Sequence, residues 1–114
     1  MEDWTVEFYQ KNNINYVENW LDSLDEKTKT KITKNITLLR EQGLSIKEPY
    51  VKKLEGKLWE LRTKDYKGIY RVIYFTRSEK RFVMLHGFVK KTDRTPRKEI
   101  DIAKKRMEEV LDNG

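Results

Sequence analysis

The chain has 114 residues, of which 39% are charged and 37% hydrophobic, and its formal net charge is +6. This length suits one domain with a modest core, and no apolar run is long enough to cross a membrane. A chain without cysteine forms no disulfides, no thiolate zinc sites and no thiol redox centre, and the acidic N-terminus does not resemble a signal peptide. We therefore expect a single cytoplasmic domain over residues 1–114.

The N-terminal segment predicts a strand and a helix. Apolar and polar residues alternate from Trp4 to Tyr9, which is typical of a short strand at a sheet edge. Asn13 or Asn15 can cap the helix that follows, and Glu18 stands in capping-box position relative to Asn15. The apolar positions of this helix are Val17, Trp20, Leu21 and Leu24.

A second helix is predicted from Asp25, as its cap, to a stop at Gly43. Ile32, Ile36 and Leu39 form its apolar stripe. The other side holds four lysines, which we expect to be solvated charge: Lys27, Lys29, Lys31 and Lys34.

Three runs of β-branched and aromatic residues, 58–64, 69–76 and 81–89, predict an antiparallel meander. Two polar turns, 65–68 and 77–80, separate them. If both turns take four residues, Arg62 faces Arg71 and Arg71 faces His86. The residues of the core face are then Trp59, Leu61, Val72, Tyr74, Val83 and Leu85. Across the first hairpin, Trp59 faces Tyr74 and Leu61 faces Val72. Across the second, Val72 faces Leu85 and Tyr74 faces Val83.

The opposite face carries the row Arg62, Arg71 and His86, next to Glu60, Ile73 and Met84. Opposed residues lie about 5 Å apart, and like charges placed so destabilise a sheet. Either an anion lies over this row, or the side chains splay into solvent and salt screens them.

The positive charge is concentrated in the same region. Residues 52–98 contain 15 basic and 5 acidic residues, a net of +10, whereas residues 1–51 and 99–114 each have a net of −2. A focused basic surface attracts polyanions and speeds their capture.

Residues 44–57 are expected to form a connector, and residues 92–98 a polar loop. Thr95-Pro96 predicts the start of a last helix, whose stripe is Ile100, Ala103, Met107, Val110 and Leu111. The element order β-α-α-β-β-β-α predicts an α+β fold with two helices on one sheet face. The other face also holds Ile73, Phe75, Phe82 and Met84, so either the last helix or a partner must cover it.

Three segments and a downstream dipeptide carry a resemblance: KLEGKLWELR at 53–62, YRVIYF at 70–75, LHGFVKK at 85–91 and Thr95-Pro96. They resemble the phage-derived Gp49-like, HigB-type branch of the RelE/ParE toxin superfamily. The resemblance implies a RelE-like fold and the toxin of a type II toxin–antitoxin system. Such toxins enter the A site of the 30S subunit and cleave mRNA there without metal or other cofactor. The implied partners are the ribosome, mRNA and a HigA-like helix-turn-helix antitoxin, with no membrane.

Two other functions stay open within this resemblance. The ParE branch poisons DNA gyrase without catalysis, and a third possibility is a non-catalytic RNA-binding module.

Metal-free RNA cleavage needs a base for the 2′-hydroxyl, cations for the phosphorane-like transition state and an acid for the leaving oxygen. By resemblance, Arg71 matches the arginine that contacts the scissile phosphate, and Lys90 and Lys91 match basic residues at the end of the last strand. We predict that the catalytic residues are Arg62, Arg71, His86, Lys90 and Lys91. The predicted substrate-binding residues are Glu60, Lys64, Phe88, Arg94 and Arg97.

Several of these roles have alternatives. Glu60 can act as a base or position an arginine, and His86 can instead be a hydrogen-bonded structural residue. Phe88 and Tyr70 can stack on a base, but Tyr70 projects to the core face in the predicted register. Leu58 and Glu60 stand at the positions where RelE has lysines. RelE also has a tyrosine after its last strand, and this sequence has no counterpart to it.

Overall fold

The computed structural model describes residues 4–77 and 80–113. The strands are β1 (Thr5–Phe8), β2 (Gln10–Lys11), β3 (Ile14–Asn15), β4 (Val51–Lys53), β5 (Trp59–Asp65), β6 (Gly68–Arg77) and β7 (Arg81–Lys90). The helices are α1 (Tyr16–Asp22), α2 (Glu26–Gln42) and α3 (Arg97–Asn113), and a short 3-10 turn spans Gly43–Ser45.

Five strands form one mixed sheet in the order β1-β7-β6-β5-β4. β1 runs parallel to β7, and the other neighbours are antiparallel. One apolar cluster joins α1 and α2 to one face, and a second joins α3 to the other. The predicted α+β class is therefore confirmed, and the last helix, rather than a partner, covers the second face.

The capping residues of the first two helices act as predicted. Asn15 Oδ1 accepts a hydrogen bond from the Glu18 amide at 3.0 Å, and Asp25 Oδ1 accepts one from the Thr28 amide at 2.8 Å. α2 ends at Gln42, and Gly43 follows with a φ of 59°. A side chain at Gly43 would also overlap the Trp4 indole, so glycine is required there for two reasons.

The predicted register of the first hairpin is confirmed. Leu61 pairs with Val72 and Arg62 with Arg71, and the strands close on the pair Asp65–Gly68. The Asp65 carboxylate accepts from the amides of Lys67 and Gly68, at 2.7 and 3.2 Å, which fixes the turn between them.

The predicted register of the second hairpin is wrong. Residues 78 and 79, in the middle of its predicted turn, lie outside the described residues. Arg77 pairs with Arg81, so three residues separate the strands instead of four. A bulge at Leu85 then adds a further shift, because Tyr74 pairs with Met84 while Ile73 pairs with His86. Val72 therefore pairs with Gly87 instead of Leu85, and Tyr74 pairs with Met84 instead of Val83. Arg71 pairs with Phe88 instead of His86.

This shift exchanges side chains between the two faces. Val83 and Leu85 pack with α3, not with Trp59 as predicted, and Phe82 and Met84 pack with α1 and α2. The other predicted members of each face, such as Tyr74 on the first and Ile73 on the second, lie where the pattern places them.

Three smaller features differ from the sequence-based expectation. β4 lies within the predicted connector and extends the sheet beyond β5, and β2 and β3 form a separate two-stranded ribbon. Leu111, a predicted member of the α3 stripe, is 45% exposed. Among the described residues, no helix is both long and apolar enough to cross a bilayer.

Candidate nucleic-acid interface

Arg62 and Arg71 face each other across β5 and β6, on the side of the sheet that α3 covers. The predicted pairing of these two arginines is confirmed. The third place in their row belongs to Phe88, and His86 lies one row further along, next to Ile73.

The Glu60 carboxylate lies between the two guanidinium groups. Arg62 Nε donates to Glu60 Oε2 at 3.0 Å, and Arg71 Nη1 lies 3.8 Å from Glu60 Oε1. Glu60 and Arg71 are fully buried. Burial lowers the pKa of Arg71, and the Glu60 carboxylate opposes that shift. Two cations therefore share one buried carboxylate. This arrangement is stable only if other acceptors form hydrogen bonds with the remaining N–H groups of the two arginines.

The loop after β7, residues 92–95, supplies those acceptors. Arg71 Nη2 donates to the Thr92 carbonyl, and Arg71 Nη1 donates to Thr95 Oγ1 at 3.1 Å. Arg62 Nη2 donates to the Asp93 carbonyl at 2.6 Å, while the Thr95 hydroxyl donates to Glu60 Oε1, also at 2.6 Å. The arginines thus hold the 92–95 loop across the end of the sheet.

Arg71 is consequently enclosed rather than open to a ligand. Its exposed fraction is 0%, and its Nε has no hydrogen-bond partner among the described residues. In this arrangement Arg71 contributes positive potential and holds the 92–95 loop, and the loop covers its donors.

Four exposed cations surround this covered pair. Lys64 and Lys90 lie on either side of Ile69 in the row beyond the arginines, and Lys91 and Arg94 lie at the loop. We call Lys64, Lys90, Lys91 and Arg94 the cationic rim. Within the described part of the chain, none of the four makes an ion pair with a carboxylate. Phosphate groups are therefore the chemistry that this surface fits best.

His86 forms hydrogen bonds through both ring nitrogens, each time to a residue of α3. Nε2 lies 2.8 Å from Glu99 Oε1, and Nδ1 lies 3.4 Å from Arg106 Nη1. Because a guanidinium only donates, Nδ1 must accept and Nε2 must hold the proton. Burial lowers the pKa of His86, although the bond to Glu99 acts in the opposite direction. These contacts match the structural alternative for His86, since its one lone pair is already engaged.

Arg106 itself is held by groups on β7 and the N-terminal segment. Its Nη1 donates to the Leu85 carbonyl at 2.8 Å, and its guanidinium lies over the rings of Tyr16 and Tyr9, at 4.3 and 5.4 Å. The Tyr9 hydroxyl donates to Glu109, and burial together with that carboxylate raises the pKa of Tyr9 to about 12. This cluster joins the N-terminal segment to the last helix.

Two predicted substrate-binding residues lie apart from the rim. Phe88 is 7% exposed, and its ring stacks on His86 with a centroid distance of 5.6 Å. Arg97, at the start of α3, forms a fork with Glu55 at 2.5 and 3.0 Å and also bonds Asp101 at 2.9 Å. These contacts occupy the guanidinium of Arg97 with two carboxylates.

Sequence reasoning missed the partners that fix this site. Thr95 is expected only as a helix cap, and the two carbonyls that accept from the arginines have no signature in a sequence. Arg106 had a weak signal: Glu99 and Arg106 stand seven residues apart, on one side of the predicted last helix.

Comparison with known protein families gives a match over residues 19–108 to the phage-derived Gp49-like protein family (DUF891). The matched region extends from α1 into the last turns of α3 and includes the arginine pair and the cationic rim. No curated protein sequence matches the chain.

Proposed function

The chain belongs to the phage-derived Gp49-like family, a family of RelE/HigB-type toxins, and we propose from this that it cleaves mRNA on the ribosome. In this proposal it is the toxin of a type II toxin–antitoxin system and works as an endoribonuclease in the A site of the 30S subunit. Its inhibitor is a cognate antitoxin, which we propose is a HigA-like helix-turn-helix protein.

The cationic rim is the observation that carries this proposal. Its four exposed cations stand beside two more that are fixed and largely buried, Arg62 and Arg71. A backbone phosphate that lies over this surface meets positive potential from both layers. A protein that binds gyrase through shape and apolar contacts has no need of such a surface, so this feature favours an RNA substrate over the ParE-like alternative.

The proposed reaction uses the RNA's own 2′-hydroxyl as the nucleophile. A base removes its proton, the 2′-oxygen attacks the adjacent phosphorus, and the bond to the 5′-oxygen breaks as an acid protonates that oxygen. The products are a 2′,3′-cyclic phosphate and a free 5′-hydroxyl. Cations stabilise the negative charge that develops on the phosphorane oxygens.

We assign phosphate contacts to the rim, with Lys90 and Lys91 as the candidates for proton transfer. Arg62 and Arg71 act as positioning residues in this conformation, since they hold the loop that bears Arg94. They reach the phosphate directly only if the 92–95 loop moves away from them. His86 positions β7 against α3 and does not reach the RNA.

The decisive experiment uses purified protein and ribosomes programmed with a defined mRNA. We expect new mRNA 5′ ends that depend on the ribosome, with no change in DNA supercoiling by gyrase in a parallel assay. Inhibited gyrase with intact mRNA would show the ParE-like function. Binding to ribosomes or RNA without any cut would show a non-catalytic module.

A further inference from the structure

A groove of about 330 Å³ lies between α2 and the outer edge of β5, and both Arg62 and Lys64 line it. β4 covers β5 only as far as Leu61. Beyond it, the Arg62 amide donates to the Tyr50 carbonyl, and Asn35 Nδ2 donates to the Arg62 carbonyl at 3.5 Å. The lining residues are Lys31, Lys34, Asn35, Pro49, Tyr50, Arg62, Thr63 and Lys64.

The described residues that line this groove include four cations and no carboxylate. Lys31, Lys34 and Lys64 are exposed and have no ion-pair partner among the described residues. The carboxylates of the neighbouring cleft are already engaged. Asp25 pairs with Lys67 at 2.7 Å, which holds the pKa of Asp25 well below its usual range, and Asp65 accepts from the turn amides. The positive charge of these three lysines is therefore uncompensated, whereas the fourth cation, Arg62, pairs with Glu60.

A single aromatic ring stands at the groove beside these cations. Tyr50 is 43% exposed, although it belongs to a residue type that usually buries most of its ring. Proteins that bind single-stranded nucleic acid combine a basic groove for the backbone with an exposed ring on which a base stacks.

Lys64 connects the groove to the cationic rim, because it lines the first and belongs to the second. A strand of RNA that leaves the cationic rim at Lys64 enters the groove without crossing an acidic surface. A single strand of RNA fits this combination of lysines and an aromatic ring, because its unstacked bases are free to stack on side chains whereas those of a duplex are not.

We propose that this groove binds a second segment of single-stranded RNA, outside the cleavage site. The phosphates contact Lys31, Lys34 and Lys64, and one base stacks on Tyr50. The choice of RNA rests on the proposed function, but the binding does not depend on catalysis and is measured without it.

The test is the affinity of the purified protein for a fluorescent single-stranded RNA of about twelve nucleotides, followed over a range of salt concentrations. The variant Lys31→Ala/Lys34→Ala removes two phosphate contacts, so the slope of log affinity against log salt should fall by about 1.4 in magnitude. Tyr50→Ala should weaken binding roughly five- to hundredfold, and Tyr50→Phe should restore it.

Lys98→Ala/Lys105→Ala is the matched control, since it removes the same charge from exposed positions of another helix. If the control variant lost as much of the salt slope, the effect would be one of net charge alone, and the proposal of RNA binding in the groove would be overturned. An unchanged slope in Lys31→Ala/Lys34→Ala would overturn it as well. A poly-glutamate peptide of equal charge that binds as tightly, with the same losses, would instead identify an acidic protein segment as the occupant.

Cleavage on programmed ribosomes separates this inference from the proposed function. If the groove variants kept full RNA affinity and the wild-type protein cleaved mRNA, RNA binding in the groove would be refuted and the proposed nuclease activity would stand. A wild-type protein that binds RNA in the groove but cuts nothing would refute the nuclease and leave the groove.

Discussion

The Thr95 hydroxyl donates a 2.6 Å hydrogen bond to the buried Glu60 carboxylate. The same hydroxyl accepts from Arg71 Nη1 at 3.1 Å, so one side chain connects β5, β6 and the loop that leads into α3. A contact of this kind couples the buried charge of the sheet to the position of the exposed cations at its end.

Glu60→Gln should destabilise the fold, because it leaves Arg62 and Arg71 without a carboxylate in a buried position. Removing one partner of a buried ion pair costs about 3 kcal/mol of unfolding free energy. Urea unfolding followed by tryptophan fluorescence measures this loss. The control is Glu55→Gln, which breaks an exposed pair with Arg97 and should leave the midpoint close to that of the wild type. Equal midpoints for the two variants would contradict the role of Glu60.

Thr95→Val keeps the shape of the side chain but removes the hydroxyl that links Glu60 to Arg71. We expect a loss of about 2 kcal/mol, since two charged groups each lose a hydrogen-bond partner. Amide exchange should accelerate in the 92–95 loop and stay unchanged in α2. Thr92→Val serves as the control, because the Thr92 hydroxyl makes only an exposed contact of 3.4 Å with the Arg94 carbonyl.

The pH dependence of stability should contain a contribution from His86. Burial lowers the pKa of His86 below its ordinary value of 6.5, so at mildly acidic pH the unfolded chain binds a proton that the folded chain resists. The contribution is therefore fully present above that ordinary value and is lost as the pH falls below it.

The variant His86→Gln removes this titration. The difference in unfolding free energy between wild type and variant should shrink between about pH 8 and about pH 5. Groups that titrate in both proteins cancel from the difference. A constant difference over that range would show that His86 is not held in its neutral form between Glu99 and Arg106.

Gly87→Ala should destabilise the packing of α1 on the sheet. A Cβ at this position would overlap the six-membered ring of Trp20, and overpacking of this kind costs about 2 kcal/mol. The double variant Gly87→Ala/Trp20→Leu should recover part of the loss, because the smaller side chain leaves room for the methyl group. If the losses of unfolding free energy in the two single variants simply added in the double variant, the strain would not arise from contact between residue 87 and Trp20.

Lys90→Ala/Lys91→Ala should reduce cleavage of ribosome-bound mRNA at least tenfold, while urea unfolding stays close to wild type. Exposed lysines without ion-pair partners contribute little to stability, so any loss of activity reports on contact with the substrate. Lys52→Ala/Lys57→Ala removes the same charge from exposed positions outside the rim. Equal activity in the two double variants would remove the rim from the site.

The first hairpin could be predicted in full because its turn is chemically marked. Asp65 and Gly68 fix the turn, and the register of Arg62 and Arg71 follows from it. The second hairpin could not, because neither its shorter turn nor the bulge at Leu85 has a residue signature. Each moves the register by one position, and together they place Phe88 where His86 was expected.

The arginine pair could likewise be located from the sequence, but its surroundings could not. Arg71 meets Thr92 and Thr95 through the path of a loop more than twenty residues away, and such a path depends on packing rather than on local pattern. The alternating pattern gives the face on which Arg71 lies, and only the tertiary structure shows what covers it.

The parallel pairing of β1 with β7 has a consequence for folding kinetics. Thr5 pairs with Arg81 across 76 residues of chain, and Tyr9 bonds Glu109 across 100. Contacts of such long sequence separation form late, because a large loop must close before they contribute stability. The N-terminal strand is therefore expected to join the sheet only after the hairpins of β5, β6 and β7 have formed.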